Sequence, residues 1–155
     1  MNTPYPMPDF YTFDMAGQRK TKNDLLGQYV ILYFYPKDMT PGCTQEAIEF
    51  QEHLPAFQKL GAQIIGVSRD SASCHMKFKE KYDLSFELWC DKEGNLCDAL
   101  QVWKEKSMYG KTFLGMERST FLIDPKGIVQ FEWRKVKVKD HVEEVLAKLQ
   151  TCVAS

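Results

Sequence analysis

The sequence contains no Cys-x-x-Cys pair. Its five cysteines, Cys43, Cys74, Cys90, Cys97 and Cys152, are odd in number and scattered. That argues against a disulfide framework and for free thiols in a reducing compartment. Cys90 and Cys97 stand too far apart for a zinc knuckle, and His53, His75 and His141 form no pair to support them. A Gly-rich phosphate loop and a dinucleotide glycine fingerprint are also absent. No apolar run nears the ~20 residues that cross a bilayer, so no membrane span is expected. The opening MNTPYPMPDF has no basic region followed by an apolar one, and a cytoplasmic protein is expected. A formal net charge of -1 provides no global field for nucleic acid or an anionic membrane. The basic stretch WRKVKVKDH alternates with apolar residues, which predicts a strand with one solvated face and not a phosphate-binding patch.

What is present fits one domain over residues 1–155, with 44% hydrophobic and 26% charged residues. DMAGQRKTKNDLLGQ reads as a turn into a short helix or loop. YVILYFYP, Tyr29 to Pro36, is an unbroken apolar run that predicts a central strand buried on both faces. From Cys43 the period becomes helical: Cys43, Ala47, Phe50, Leu54 and Phe57 share one narrow stripe, and Pro55 is expected to kink or divide that helix. AQIIGVS predicts a second buried strand, joined to the first by a connection the size of a parallel crossover. Serines that can cap a helix precede the Phe78/Tyr82 stripe. A short strand follows at 86–89, and then a helix around 96–102. RSTFLID and IVQFEWRKV flank the turn Asp124-Pro125-Lys126-Gly127 as a hairpin. HVEEVLAKLQ closes the chain as an amphipathic helix. The order βαβαβαββα implies an α/β fold with a mixed sheet and helices on both faces.

The chemistry centres on TPGCTQE. The start of a helix presents unpartnered N–H groups and a positive dipole, both of which favour an anion. A thiol placed there is biased towards thiolate, the nucleophilic form. Gly42 permits close approach of the backbone, and Pro41 stiffens it. Thr40 offers a hydroxyl that can donate to the thiolate or accept from a protonated oxygen. With no metal set and no nucleotide motif, a thiolate among donors can cleave an O–O bond without a cofactor, becoming sulfenic acid. Donors aimed at the developing oxyanion would do most of the catalysis.

The string FYPKDMTPGCTQE resembles the active-site segment of the peroxiredoxins, most closely the branch called PrxQ or bacterioferritin comigratory protein. PDF, GVSRDS, KEKSMYGK and ERSTFLIDPKG follow the same branch in order, so the resemblance covers nearly the whole chain. It implies a thioredoxin-like fold of the peroxiredoxin type and a Cys-based peroxidase acting on hydrogen peroxide and organic hydroperoxides. It implies Cys43 as the peroxidatic cysteine, Thr40 as the hydroxyl contacting peroxide, Pro36 as the shielding proline and Arg118 as the activating arginine. Glu46 matches a glutamate of this branch and is expected to orient an arginine. The reductant implied is thioredoxin or a glutaredoxin-type dithiol, the cofactor none, and the oligomeric state monomer.

The chain departs from the branch at the second thiol. The intrahelical slot holds Ile48, and the slot after Phe78 holds Lys79. Cys74, one turn earlier and expected to be half exposed, is the candidate resolving cysteine; the alternative is a boundary cysteine with no redox role. Cys97 is expected in the core, Cys90 partly exposed at a strand end as a lesser candidate for the resolving role, and Cys152 in a frayed tail. If none resolves, an external thiol would attack the sulfenate, as in a one-cysteine peroxidase. A thiol–disulfide oxidoreductase would want a second cysteine near Cys43. A non-catalytic redox sensor or holdase would be oxidised once without turnover. Tyr109 and Lys111 either border the site mouth or form a loop, and Trp103 and Trp133 are expected to pack.

Overall fold

The run Tyr29 to Pro36 has no polar alternation, and a strand of that pattern must be covered on both faces. The computed structural model, which describes residues 2–154, puts it near the middle of an eight-stranded sheet. Strands β1 (Tyr5–Pro6), β2 (Tyr11–Asp14) and β3 (Arg19–Thr21) and a short 3-10 turn precede β4 (Tyr29–Phe34). Helix α1 (Pro41–Lys59), β5 (Ala62–Ser68), α2 (Ala72–Tyr82), β6 (Glu87–Cys90) and α3 (Asn95–Ala99) follow. A separate hairpin, β7 (Trp103–Met108) and β8 (Lys111–Met116), then leads to β9 (Ser119–Ile123), β10 (Ile128–Trp133) and α4 (His141–Ala154). The sheet order is β1-β10-β9-β4-β5-β6-β2-β3. Strands β4, β5 and β6 are parallel, and β9 runs antiparallel to β4. This is a mixed sheet with helices packed on it, the α/β architecture that the resemblance implies.

The period of two along β4 divides the core. Val30, Leu32 and Phe34 pack with Ile65, Val67, Trp89 and Phe121 on one face. Ile31, Tyr33 and Tyr35 pack with Phe50, Phe57, Phe78 and Val145 on the other, under α1, α2 and α4. The five residues of the α1 stripe, Cys43 included, are all buried. Register then positions the ends: Phe34 pairs with Ser119, so the residue before β9, Arg118, arrives beside the loop that leaves β4. No helix of the described residues is long and apolar enough to cross a membrane.

Several local expectations need correction. Helix α1 is not divided at Pro55: it continues through that residue, which is exposed. WRKVKVKDH is not a strand beyond Trp133: Lys135 takes a left-handed φ of 49°, and the Val136 N–H turns inward to the Arg118 carbonyl at 3.0 Å. Helix α3 stops at Ala99, short of Val102, because Gln101 adopts φ 57° and the Gln101 and Val102 amides close back on the Asp98 and Cys97 carbonyls. The strands β1 to β3 and the β7–β8 hairpin were not anticipated. That hairpin turns on Tyr109 (φ 54°) and Gly110 (φ 77°), the paired positive φ of a tight two-residue turn. Tyr109 is therefore a turn residue, 97% exposed.

Phe50 is fully buried and stacks on Tyr33 with ring centroids 4.5 Å apart. Phe50→Ala is expected to cost about 3–5 kcal/mol, read as a lowered urea midpoint with an unchanged slope.

Candidate functional site

Thr40 is the N-cap of α1 with extended backbone, Pro41 takes the first helical position, and the first intrahelical bond is Thr44 N–H to the Thr40 carbonyl at 2.9 Å. The amides of Gly42 and Cys43 come before that bond, so the helix start presents them without helical partners. Cys43 is 2% exposed. Its sulfur accepts from Arg118 Nη2 at 3.4 Å, across 75 positions of chain. Arg118 Nη1 donates to Glu46 Oε1 at 2.7 Å. One guanidinium thus bridges two acidic groups that lie one turn apart on α1.

The neighbours explain how Arg118 is held. A Cβ at Gly42 would stand 3.2 Å from Arg118 Nη2, so glycine here makes room for the guanidinium. The Val136 amide fixes the Arg118 carbonyl. Burial opposes the charge on Arg118, but the Glu46 carboxylate and Cys43 outweigh it and push its pKa up. Glu46 is fully buried; burial raises its carboxyl, the Arg118 charge pulls it back, and it comes to about 7. Its second oxygen, Oε2, has no partner among the described residues. His141 is buried nearby, its Nε2 2.8 Å from the Thr120 hydroxyl. Burial, and then the Arg118 charge, lower it to about 4, so it is neutral at pH 7.

Thr40 donates its hydroxyl to the Lys37 carbonyl at 2.8 Å. Its proton is engaged there, which leaves the oxygen as an acceptor towards a protonated ligand and not as a donor to sulfur. Pro36 and Arg118 line a cleft of about 570 Å³ together with Lys104, Lys106, Lys135 and Val136. Arg118 thus joins Cys43 and Glu46 by direct bonds and shares the cleft with Pro36, Thr40 caps the helix that carries Cys43 without lining that cleft, and Cys74 does not bond to any of them. It is exposed in the first turn of α2. Cys97 is fully buried as expected, but Cys90, expected to be partly exposed, is 5% exposed. Cys152 is half-buried within α4 and not in a frayed tail. Trp103 carries the Arg69 guanidinium 4.5 Å above its ring, and Trp133 packs edge-on against His141.

Sequence reasoning missed a buried network beside this site. His75, next to Cys74, contacts Asp38 Oδ2 through Nδ1 at 2.7 Å and the Trp89 carbonyl through Nε2 at 2.9 Å. Both partners only accept, so both ring nitrogens donate and the ring is an imidazolium. Tyr35 donates to Asp38 Oδ1 at 2.6 Å, and Asp38 N–H donates to Asp70 Oδ2 at 2.9 Å. The ligating atoms of Asp38, Asp70 and His75 lie within 4.8 Å of one another, but His75 Nδ1 has its lone pair occupied by a proton and offers none to a metal. The visible signals were an aspartate inside YPKDMTPGC and a histidine beside the α2 cap; nothing in their spacing links them.

Residues 4–132 match the model of the AhpC/TSA family. The chain is 52% identical over 143 residues to peroxiredoxin Bcp of Bacillus subtilis, covering 92% of this chain and 91% of that protein. It is 49% identical over 144 residues to peroxiredoxin Bcp of Xanthomonas campestris, covering 90% of each. Among solved structures it is similar to Xanthomonas campestris peroxiredoxin Q, with a TM-score of 0.87 and 48% identity over 92% of this chain and 90% of that one. A structure of the Xanthomonas campestris bacterioferritin comigratory protein, described for its alkyl peroxide reduction activity, also gives a TM-score of 0.87, at 47% identity over 92% of this chain and 91% of that one.

Burial alone would lower His75, but its hydrogen bonds to Asp38 and its other partners raise it from 6.5 to about 10. The folded chain therefore holds this proton more tightly than the unfolded chain. The resulting stability is present in full below pH 6.5 and is lost as pH rises through about 10. His75→Asn strands Asp38 in the interior, at an expected cost of about 3–5 kcal/mol near neutrality. In urea titrations the gap between wild type and variant is expected to narrow steadily from pH 6.5 to about 10.

Proposed function

The chain belongs to the AhpC/TSA family, in its Bcp or Q-type peroxiredoxin branch, and from that premise we propose that Cys43 is the peroxidatic nucleophile. Peroxiredoxins are thiol-dependent peroxidases, and this protein is an oxidoreductase of that kind. The observation that carries the assignment is the Arg118 Nη2 contact with Cys43 Sγ at 3.4 Å at a helix start. A guanidinium beside sulfur stabilises thiolate, and its remaining N–H groups can polarise a bound hydroperoxide. Hydrogen peroxide and organic hydroperoxides are the substrate class; the cleft beside Pro36 and Arg118 is roomy enough for an organic substituent.

In the first step the Cys43 thiolate attacks one oxygen of the hydroperoxide. The S–O bond forms, the O–O bond breaks, and water or an alcohol leaves. The Thr40 oxygen accepts from the protonated substrate, Arg118 stabilises the oxyanion, and Pro36 walls the cleft. In the second step the Cys74 sulfur attacks the sulfenic sulfur: the S–S bond forms, the S–O bond breaks, and the hydroxyl leaves as water with the proton of the Cys74 thiol. Cys74 is the exposed thiol, whereas Cys90 and Cys97 are buried, and access favours it. Cys43 is itself buried, so the first turn of α1 must unwind before the two sulfurs meet. A dithiol protein of the thioredoxin or glutaredoxin type then restores both thiols. Residues 1–155 are read as a single domain that works as a monomer, in keeping with the branch resemblance, in the reducing cytoplasm.

The test is NADPH consumption coupled through thioredoxin reductase and thioredoxin. Cys43→Ser is expected to abolish turnover, and Cys74→Ser to keep the first oxidation while losing thioredoxin-driven cycling. Arg118→Met is expected to slow sulfenate formation roughly a hundredfold. Peroxide consumption that stops once the protein's thiols are oxidised would identify a redox sensor, and cycling by Cys74→Ser with a small thiol a one-cysteine peroxidase. Peptide mapping of oxidised wild type is expected to show the Cys43–Cys74 link; a different partner for Cys43 ends that assignment. Gly42→Ala, by displacing Arg118, is expected to slow sulfenate formation roughly tenfold to a hundredfold without unfolding the chain.

A further inference from the structure

Glu46 is the buried ionisable group that the mechanism above leaves without a task beyond holding Arg118. Its charge environment assigns one. The Cys43 sulfur and the Glu46 carboxyl share a single cation, Arg118, through Nη2 and Nη1. With both acids ionised, the site would hold two buried negative charges against one positive charge. Two anions sharing one buried site do not ionise together, because desolvation and mutual repulsion both penalise the second charge. The Glu46 oxygen facing away from Arg118 makes the same point: Oε2 is buried and has no partner among the described residues. A bare carboxylate oxygen is far costlier in that position than a protonated one.

Lys104, Lys106 and Lys135 stand with Glu105 and Glu117 around the cleft that Arg118 also lines, but the one cation that acts on the Glu46 carboxyl is Arg118. Glu49, on the same helix, adds a further negative charge. Tyr33, from β4, is neutral, because burial and then the Glu46 and Cys43 charges keep its hydroxyl protonated. His141, from α4, is neutral at pH 7.

We propose that Cys43 and Glu46 hold one proton between them in the reduced enzyme, on Glu46 while Cys43 is thiolate, and that oxidation of the sulfur releases it. The inference rests on the reading of Cys43 as the nucleophile. The step balances: S⁻, a protonated Glu46 and ROOH become S–OH, an ionised Glu46 and ROH. Sulfur loses two electrons and the peroxide gains them. The new oxygen on sulfur comes with the peroxide's own hydrogen, and the proton from Glu46 neutralises the departing alkoxide. Sulfenic acid is neutral, so Arg118 then pairs with the Glu46 carboxylate alone, and the total charge of the site is the same before and after. The value of about 7 for Glu46 agrees with a proton held near neutrality. The proton count follows from charge and does not depend on the path the proton takes.

The test is stopped-flow proton counting with a pH indicator, during oxidation of fully reduced protein by one equivalent of hydrogen peroxide. Buffering is set about one unit below the Glu46 value of about 7, and the ultraviolet absorbance of thiolate is followed in parallel. Wild type is expected to lose its thiolate band with almost no proton taken from solvent. Glu46→Gln keeps an oxygen for Arg118 but holds no exchangeable proton, and is expected to take up about one proton per Cys43 oxidised. Full uptake by wild type, or equal counts in the two proteins, overturns the proposal and leaves Glu46 a positioning residue for Arg118. Infrared difference spectra of wild type give an independent reading should Glu46→Gln fold poorly. The carbonyl band of a buried protonated acid is expected to vanish on oxidation, and its absence from the reduced protein overturns the proposal. Cys43→Ser is the control. If wild type itself shows no sulfenate, the reading of Cys43 fails, an outcome distinct from sulfenate with full proton uptake.

Discussion

A guanidinium held between a sulfur and a carboxyl is the constraint around which the rest of this structure is arranged. Arg118 reaches Cys43 and Glu46 only because β9 pairs with β4 in one register, with Phe34 opposite Ser119. A slip of one residue would turn the arginine to the other face of the sheet. Gly42 leaves the space, the Val136 amide holds the carbonyl, and the start of α1 points its amides at the same place. Strands, a helix end, a glycine and a loop thus converge on one cation. The hydrophobic core on both sides of β4 keeps these parts in place and supplies none of the chemistry.

The five cysteines show how position decides thiol chemistry. Burial raises the Cys97 thiol, which points to Met116 with its sulfur 3.7 Å away. Cys90 is covered at the end of β6, and Cys152 lies half-buried on α4. Cys43 is as buried as Cys90 and Cys97, yet its sulfur accepts a hydrogen bond from a guanidinium. Reactivity here follows from the partner of the sulfur more than from its exposure.

The central architecture was legible because it is written in periodicity. The β4 run, the α1 stripe from Cys43 to Phe57, the β9–β10 turn and the final helix each bury what their patterns predict. The strands β1 to β3 were not legible, because each has two to four residues and borrows its stability from neighbours. WRKVKVKDH misled because its alternation belongs to a loop pinned by Arg118 and by the Arg134 bonds to Leu100 and Gln101. At the site, the helix start and its thiol could be read from the residues themselves. The meeting of Arg118 with Cys43 spans 75 positions and was approachable only through the family resemblance. The Asp38–His75 pair lay outside both routes, since an ion pair between a loop and a helix has no period.

That pair ties together two regions far apart in the chain. Asp38 sits in the segment that presents Pro36 and Thr40, and His75 sits in the helix that carries Cys74. His75 has no freedom, being enclosed and bonded at both nitrogens, while Ser73, Cys74, Met76 and Lys77 around it face solvent. Substitutions at those four solvent-facing positions therefore leave untouched the buried histidine that clamps this helix to the loop after β4.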